Sequence, residues 1–274
     1  MKIFTKTKNL INYLSQIKSD SIGFVPTMGA LHNGHISLIK RSVEENDITV
    51  VSIFINPTQF LEGEDLDKYP KKIEADKKVC NYAGVDILFL PTSDEIYFKD
   101  ELSIVAPKTK GFILEGFHRP GHFNGVLQVV LKLLNIVKPT NAYFGKKDSQ
   151  QLYLVKKMVD ELFLSVNIVE CEIIRDENGL ALSSRNSYLT ISEKQEAVKI
   201  SQALQEATKL ISKGENSSEI LKSFILDKLS DIKVEYVEIV DRDFNKIDSI
   251  IIGDSIILIA AYIGTTRLID NIWI

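Results

Sequence analysis

The feature that most constrains this chain is an alternation. Short runs rich in β-branched and aromatic residues take turns with amphipathic stretches over the first two-thirds of the sequence. Strands are expected over 21–26, 48–55, 86–91, 141–144 and 165–174, and helices over 34–46, 71–83, 124–137 and 149–162. The run 48–55 is nearly all apolar, as a strand covered on both faces must be. The stretch 124–137 is apolar almost all round, which marks a buried helix. Strands separated by helices cannot be joined as hairpins, so the expected architecture is a parallel α/β sheet with helices on both faces.

The pattern changes after Arg175. Two amphipathic helices, 193–213 and 217–229, come in succession, and 233–240 and 255–274 are strand-rich. Helices followed by strands predict a separate, smaller α+β domain. The boundary is expected in the Gly/Ser/Asn-bearing loop that begins at Asp176, giving domains 1–176 and 177–274. A chain of 274 residues is long enough for either one large core or two.

Bulk charge excludes some functions. The net charge of −4 gives no overall attraction to nucleic acid or an anionic membrane, so neither is an expected partner. No apolar run approaches the roughly 18 residues needed to span a bilayer, and the N-terminus lacks a signal-peptide core. The cytoplasm is the expected location. The two cysteines, Cys80 and Cys171, lie in or beside apolar runs and read as buried free thiols.

In an open α/β sheet, ligands bind at the carboxyl ends of the strands. The first expected strand runs into Pro26-Thr27-Met28-Gly29-Ala30-Leu31-His32-Asn33-Gly34-His35. Gly29 and Gly34 allow a tight turn and close approach of the backbone to a ligand. The helix start supplies free N–H groups and a partial positive charge suited to phosphate. His32 and His35, two of only four histidines, add imidazole donors there. His-x-x-His could also provide two zinc ligands, but the Glu of a His-Glu-x-x-His helix and a nearby Cys are both missing. There is no Walker Gly-Lys-Ser/Thr and no Gly-x-Gly-x-x-Gly. The run instead resembles the His-x-Gly-His signature of the nucleotidyltransferase superfamily.

Three more segments fall at loop positions. Asn56-Pro57-Thr58-Gln59-Phe60 ends the second strand. Turn chemistry accounts for Asn56 and Pro57 but leaves the Gln59 amide to orient a hydroxyl or carboxylate. The acidic segment from Glu64 to Pro70 reads as a solvated loop. Gly145-Lys146-Lys147-Asp148 joins a short strand to the helix carrying Gln151; the lysines offer cations for phosphates, and Asp148 suits a helix cap. Finally, Asp-Glu-Asn-Gly forms a turn ahead of Leu182-Ser183-Ser184-Arg185-Asn186, whose hydroxyls and guanidinium fit either a polyphosphate or an interdomain linker. His118 and His122 are spaced for a helix face, but Pro120 and Gly121 argue against one; Arg119 and His122 read as shaping the pocket.

Taken together and in order, these motifs resemble those of the pantothenate synthetase (pantoate–β-alanine ligase) family, densely between Gly23 and Leu189. The resemblance implies a Rossmann-like catalytic domain with a smaller lid. It implies two steps, in which pantoate and ATP give pantoyl adenylate and β-alanine then displaces AMP. Met28, Gly29, Ala30, Leu31, His32, Asn33, Gly34 and His35 would line the ATP site, with Gly145, Lys146, Lys147, Asp148, Ile174, Leu182, Ser183, Ser184 and Arg185. Within that set, the resemblance gives His35, His32, Lys147, Ser183, Ser184 and Arg185 to the chemistry, with His35 as proton donor and Lys147 on the phosphates. Gln59 and Gln151 would hold pantoate, Gln59 also lying near β-alanine. Mg2+ would accompany ATP, and the assembly would be a homodimer. The family commonly has two adjacent acidic residues after the Tyr-Pro segment; here the pair reads Ala75-Asp76, which leaves Asp76 as the candidate metal ligand. Two rivals share part of the pattern. Another adenylyltransferase would leave Gln59 and Gln151 unexplained. A nucleotide-binding regulator without turnover would have no use for His35 and Lys147.

Overall fold

The computed structural model describes all 274 residues, Met1–Ile274. The chain forms two compact units, Met1–Lys146 with Leu154–Glu172, and Lys147–Tyr153 with Ile173–Ile274.

The first unit is built on six strands, β1 (Lys2–Phe4), β2 (Ile22–Thr27), β3 (Ile48–Ile53), β4 (Ile87–Phe89), β5 (Asn141–Gly145) and β6 (Asn167–Cys171). Their order is β1-β4-β3-β2-β5-β6, and every pairing is parallel. The intervening helices are α1 (Thr7–Leu14), α2 (Asn33–Glu45), α3 (Ile73–Tyr82), α4 (Ser93–Ile96), α5 (Glu115–His118) and α6 (His122–Val137). The alternation therefore produced the sheet it predicts. The edge strand β1 and helix α1 fall in a stretch left unassigned, because a three-residue strand shows no period, and the short helices α4 and α5 fall in another. The helix α7 (Ser149–Glu161) begins among residues of the second unit and continues into the first.

Two sequence details set the centre of the sheet. Gly23 is needed for space: a Cβ there would meet the Ser42 hydroxyl at 2.2 Å and the Asn46 amide at 2.6 Å, so α2 sits hard against β2. Pro26 stands in a central strand, where its missing N–H would ordinarily break a ladder. Pairing of β2 with β5, however, covers only Gly23 and Phe24, whereas pairing with β3 runs to Thr27. The two strands part before Pro26 is reached, at the point where the strand order reverses.

The second unit has an antiparallel sheet of β7 (Lys233–Val240), β8 (Ile256–Ile263) and β9 (Thr266–Trp273), with helices α8 (Ile191–Ile211) and α9 (Ser218–Lys228). Ile200, Leu204, Leu221 and Ile225 from the helices bury against Ile239, Ile257 and Ile259. Helix α8 starts two residues before the expected Glu193. Thr190 caps it, and the Glu193 carboxylate accepts the Thr190 N–H at 2.8 Å in a capping box. Both cysteines are buried and free; burial raises both thiols, that of Cys80 to about 12. No helix is long and apolar enough to cross a membrane.

Candidate active site

Three of the motif segments follow β3, β2 and β5, which are neighbours in the sheet. In a doubly wound sheet the crevice at the reversal of strand order is where ligands bind. Here that crevice lies between β2 and β5, with the His32–His35 loop at the carboxyl end of one and Gly145-Lys146 at that of the other.

The loop after β2 is held in an uncommon conformation. Gly29 and Ala30 have φ of 83° and 48°, both left-handed. A side chain at Gly29 would also meet Ile53 at 2.9 Å and the Asp76 carboxylate at 3.1 Å. That carboxylate is the clamp. Its Oδ2 accepts the Ala30 N–H and its Oδ1 the Leu31 N–H, each at 2.9 Å, and Asp76 is buried in α3. Asp76 is the residue read as a metal ligand from the sequence; the job visible here is holding the loop. No group of three or more His, Cys, Asp or Glu side chains is placed to hold a metal ion.

His32 is the N-cap of α2, which begins at Asn33, one position before the expected start. Its Nδ1 accepts the Gly34 N–H at 3.1 Å, and the Nδ1 of His35 accepts the His32 N–H at 3.3 Å. The rings lie 4.0 Å apart, centroid to centroid. Backbone N–H groups only donate, so both Nδ1 atoms are acceptors. In the neutral rings each proton is therefore on Nε2. The two imidazoles are thus fixed as Nε2 donors beside the helix N-terminus, the combination that suits developing negative charge on phosphate.

After β3, Asn56 and Gln59 divide the work. Asn56 is buried and fully occupied. Its Oδ1 accepts from Tyr97 Oη at 2.6 Å and Thr58 Oγ1 at 2.9 Å, and its Nδ2 donates to Gly125 O and Gln59 Oε1, each at 3.1 Å. It is a turn-holding residue, as its turn chemistry suggested. Gln59 donates through Nε2 to the Met28 sulfur at 3.0 Å and keeps one amide hydrogen and one lone pair uncommitted.

Glu64, expected in a solvated acidic loop, is in fact paired. Arg119 reaches it with two bonds, Nε to Oε1 at 2.6 Å and Nη2 to Oε2 at 2.7 Å. Burial raises the Glu64 carboxyl, but the hydrogen bonds from Arg119 and from the Leu61 N–H outweigh it and leave it below the usual carboxylate range. His118 ends α5 and His122 begins α6, with Gly121 at a φ of 90° between them, so the pair does not share a helix face.

In the second unit, Lys147 lies in the single 3-10 turn Lys146–Asp148, with Nζ 3.4 Å from Asp148 Oδ1. Its carbonyl accepts from Asn271 Nδ2 at 2.8 Å. Gln151 follows in the first turn of α7, half-buried. Ile174 and Leu182 close a hairpin through the Leu182 N–H to Ile174 carbonyl bond of 3.0 Å, and Gly179 makes its turn at a φ of 94°. Arg175 anchors this hairpin to β9 by a two-pronged ion pair with buried Asp270, at 2.6 and 2.9 Å. Ser183 then caps the turn Ser184–Tyr188, its Oγ accepting the Arg185 N–H at 3.3 Å. Lys146, in the first unit, forms an ion pair with Glu172.

Sequence reading missed Tyr97, Gly125 and the pairing of Glu64. Nothing local marks the first two; the Arg119-Pro120-Gly121-His122 run was the one available hint to the third.

Comparisons with known proteins agree with one another. A family model described as pantoate-β-alanine ligase matches residues 2–273. The chain is 56% identical to a pantothenate synthetase of Sulfurimonas denitrificans and 55% identical to one of Campylobacter fetus, in both cases over the full length of both chains. Among solved structures, a pantothenate synthetase from Thermus thermophilus superposes with a TM-score of 0.94 at 35% identity, covering 99% of each chain. A pantoate-β-alanine ligase from Francisella tularensis, complexed with β,γ-ATP and β-alanine, superposes with a TM-score of 0.82 at 40% identity, covering all of this chain and 97% of its own.

Proposed function

This chain belongs to the pantoate–β-alanine ligase family, and from that premise we propose that it condenses pantoate with β-alanine at the expense of ATP through a pantoyl adenylate. In the first step a pantoate carboxylate oxygen attacks the α-phosphorus of ATP, the bond to the β-phosphate oxygen breaks and pyrophosphate leaves. In the second, the β-alanine amine attacks the acyl carbon, AMP leaves with the carboxylate oxygen, and the amine loses a proton.

The observation that carries this reading is the fixed pair of imidazole Nε2 donors at the N-terminus of α2, beside the reversal in strand order. Met28 to His35 take the nucleotide, and His35 donates to oxygen as charge builds on the phosphates. Gln59 meets pantoate with its uncommitted amide groups, with Gln151 as a second amide ligand. Gly145 to Asp148, Ile174 and Leu182 to Arg185 complete nucleotide binding, Lys147 and Arg185 neutralising phosphate charge. Magnesium enters with ATP, held by phosphate oxygens and water. A cytoplasmic homodimer is part of the same reading.

The test is ATP–pyrophosphate exchange with and without pantoate. Exchange is expected only with pantoate, and AMP release only when β-alanine is added as well. Exchange that ignores pantoate overturns the reading.

A further inference from the structure

Beside Gln59 lies a set of polar side chains with no part in either chemical step. His122 Nδ1 is 2.7 Å from the main-chain carbonyl oxygen of Gln59, and Arg119 Nη2 is 3.3 Å from the same atom. The other imidazole nitrogen, Nε2, lies 3.0 Å from Arg119 Nη1. A guanidinium can only donate, so Nε2 is the acceptor and the ring proton is on Nδ1, given to Gln59. Arg119 is itself fixed by the forked pair with Glu64. A carboxylate, a guanidinium and a neutral imidazole thus run in series into one peptide carbonyl.

The rest of Gln59 is held just as firmly. Asn56 and Met28 take one side each of its amide, which sets which end is oxygen and which is nitrogen. Gly125, one turn beyond His122 in α6, lets the helix backbone touch the 57–59 turn; a Cβ there would lie 2.2 Å from the Thr58 carbonyl oxygen and 2.7 Å from the Gln59 nitrogen. A histidine serving only to fill the core could satisfy its nitrogens anywhere. Here both His122 and its partner Arg119 converge on the carbonyl of a single residue.

We propose that Glu64, Arg119 and His122 are positioning residues that fix the backbone of Gln59, and through it the amide presented to pantoate. The inference rests on the reading of Gln59 as a pantoate ligand. None of the three needs to touch substrate. Burial, reinforced by Arg119, holds His122 at a pKa of about 4, in keeping with a neutral ring at the working pH.

The experiment is initial-rate kinetics on H122L, H122N, Q59A and the double variant H122L/Q59A, with pantoate and ATP varied in turn. The amide nitrogen of Asn falls near the place of Nδ1 and keeps the donor; Leu removes it. H122L is expected to raise KM for pantoate roughly tenfold while KM for ATP stays within about twofold, since one charge-supported hydrogen bond is lost. H122N is expected to recover most of that loss, and H122L to add nothing in the Q59A background. Equal rises in both KM values, an H122N as impaired as H122L, or additivity with Q59A each overturn the proposal. If Q59A leaves KM for pantoate unchanged, the reading of Gln59 falls and the positioning role with it, while the ligase activity stands. Should H122L fail to fold, E64Q at the outer end of the series gives the same readout. A pantoate-selective rise that vanishes in Q59A supports the proposal, and an unselective loss overturns it.

Discussion

Asp76 Oδ2 accepts the N–H of Ala30 at 2.9 Å, across 46 residues of sequence. Together with Oδ1 on Leu31, this bond holds two consecutive left-handed residues in place ahead of the histidines. The shape of the loop before α2 thus depends on a side chain in another helix.

Asp76→Asn separates this role from metal binding. An amide offers one acceptor where the carboxylate offers two, and turns N–H groups toward one of the loop donors. Urea unfolding without nucleotide or metal is expected to show a loss of about 2 kcal/mol, together with a raised KM for ATP. A variant of unchanged stability, altered only in its magnesium dependence, would make Asp76 a metal residue instead.

The histidine pair can be divided into cap and chemistry. Asn at position 32 still caps α2 through its side-chain oxygen, so His32→Asn should unfold within about 0.5 kcal/mol of the parent, and His32→Ala about 1 kcal/mol lower. Both should lose activity. On the proposed role of its Nε2 donor, acting on charge that develops only in the transition state, His35→Ala is expected to lower kcat far more than it weakens ATP binding. Equal losses in both would reduce His35 to a binding residue.

Gly125→Ala drives a methyl group into backbone rather than into a flexible side chain. The 57–59 turn must move, and Asn56 loses its bond to the Gly125 carbonyl. Thermal unfolding should register a loss of about 2 kcal/mol or more, with KM for pantoate raised in the fraction that folds.

His122 makes stability depend on acid. Its pKa is depressed from 6.5 to about 4 in the folded chain, chiefly by burial and then by Arg119, with the hydrogen bond to the Gln59 carbonyl, Glu115 and Glu64 opposing. Between those values the unfolded chain takes up a proton that the folded chain refuses. Stability therefore falls as pH drops from 6.5 towards 4, and the His122 contribution is constant outside that window. From pH 7.5 to pH 5 the loss owed to His122 is about 2 kcal/mol. Urea titrations at the two values should show the difference shrinking by that amount in H122N; an equal difference in both proteins contradicts the assignment.

In the second unit, Asp270→Asn leaves Arg175 without its charge partner in a largely buried setting. The expected cost is about 3 kcal/mol in urea unfolding. Hydrogen exchange should rise first in the hairpin from Ile174 to Leu182, which Arg175 ties to β9.

The amino-acid sequence by itself determined the parallel sheet, the helix-then-strand character of the C-terminal region, the glycine-bearing loop before α2 and the place of three motifs at strand ends. Those features are written in neighbouring residues: a periodicity, a run of β-branched side chains, a glycine where φ must be positive. The capping box of Thr190 and Glu193 is equally local and stood open to view.

Only the tertiary structure decided which polar groups face one another. Glu64 sits in a run that reads as a solvated loop, and it meets Arg119 at a separation of 55 residues. Tyr97 closes on Asn56 across 41, with no pattern in between to announce it. The tautomers of His32, His35 and His122 follow from backbone and guanidinium donors that the chain brings up only after folding. A carboxylate or imidazole in a polar stretch looks the same whether it ends in water or on a partner. Strand order chooses the partner, because it selects which distant loops share one edge of the sheet.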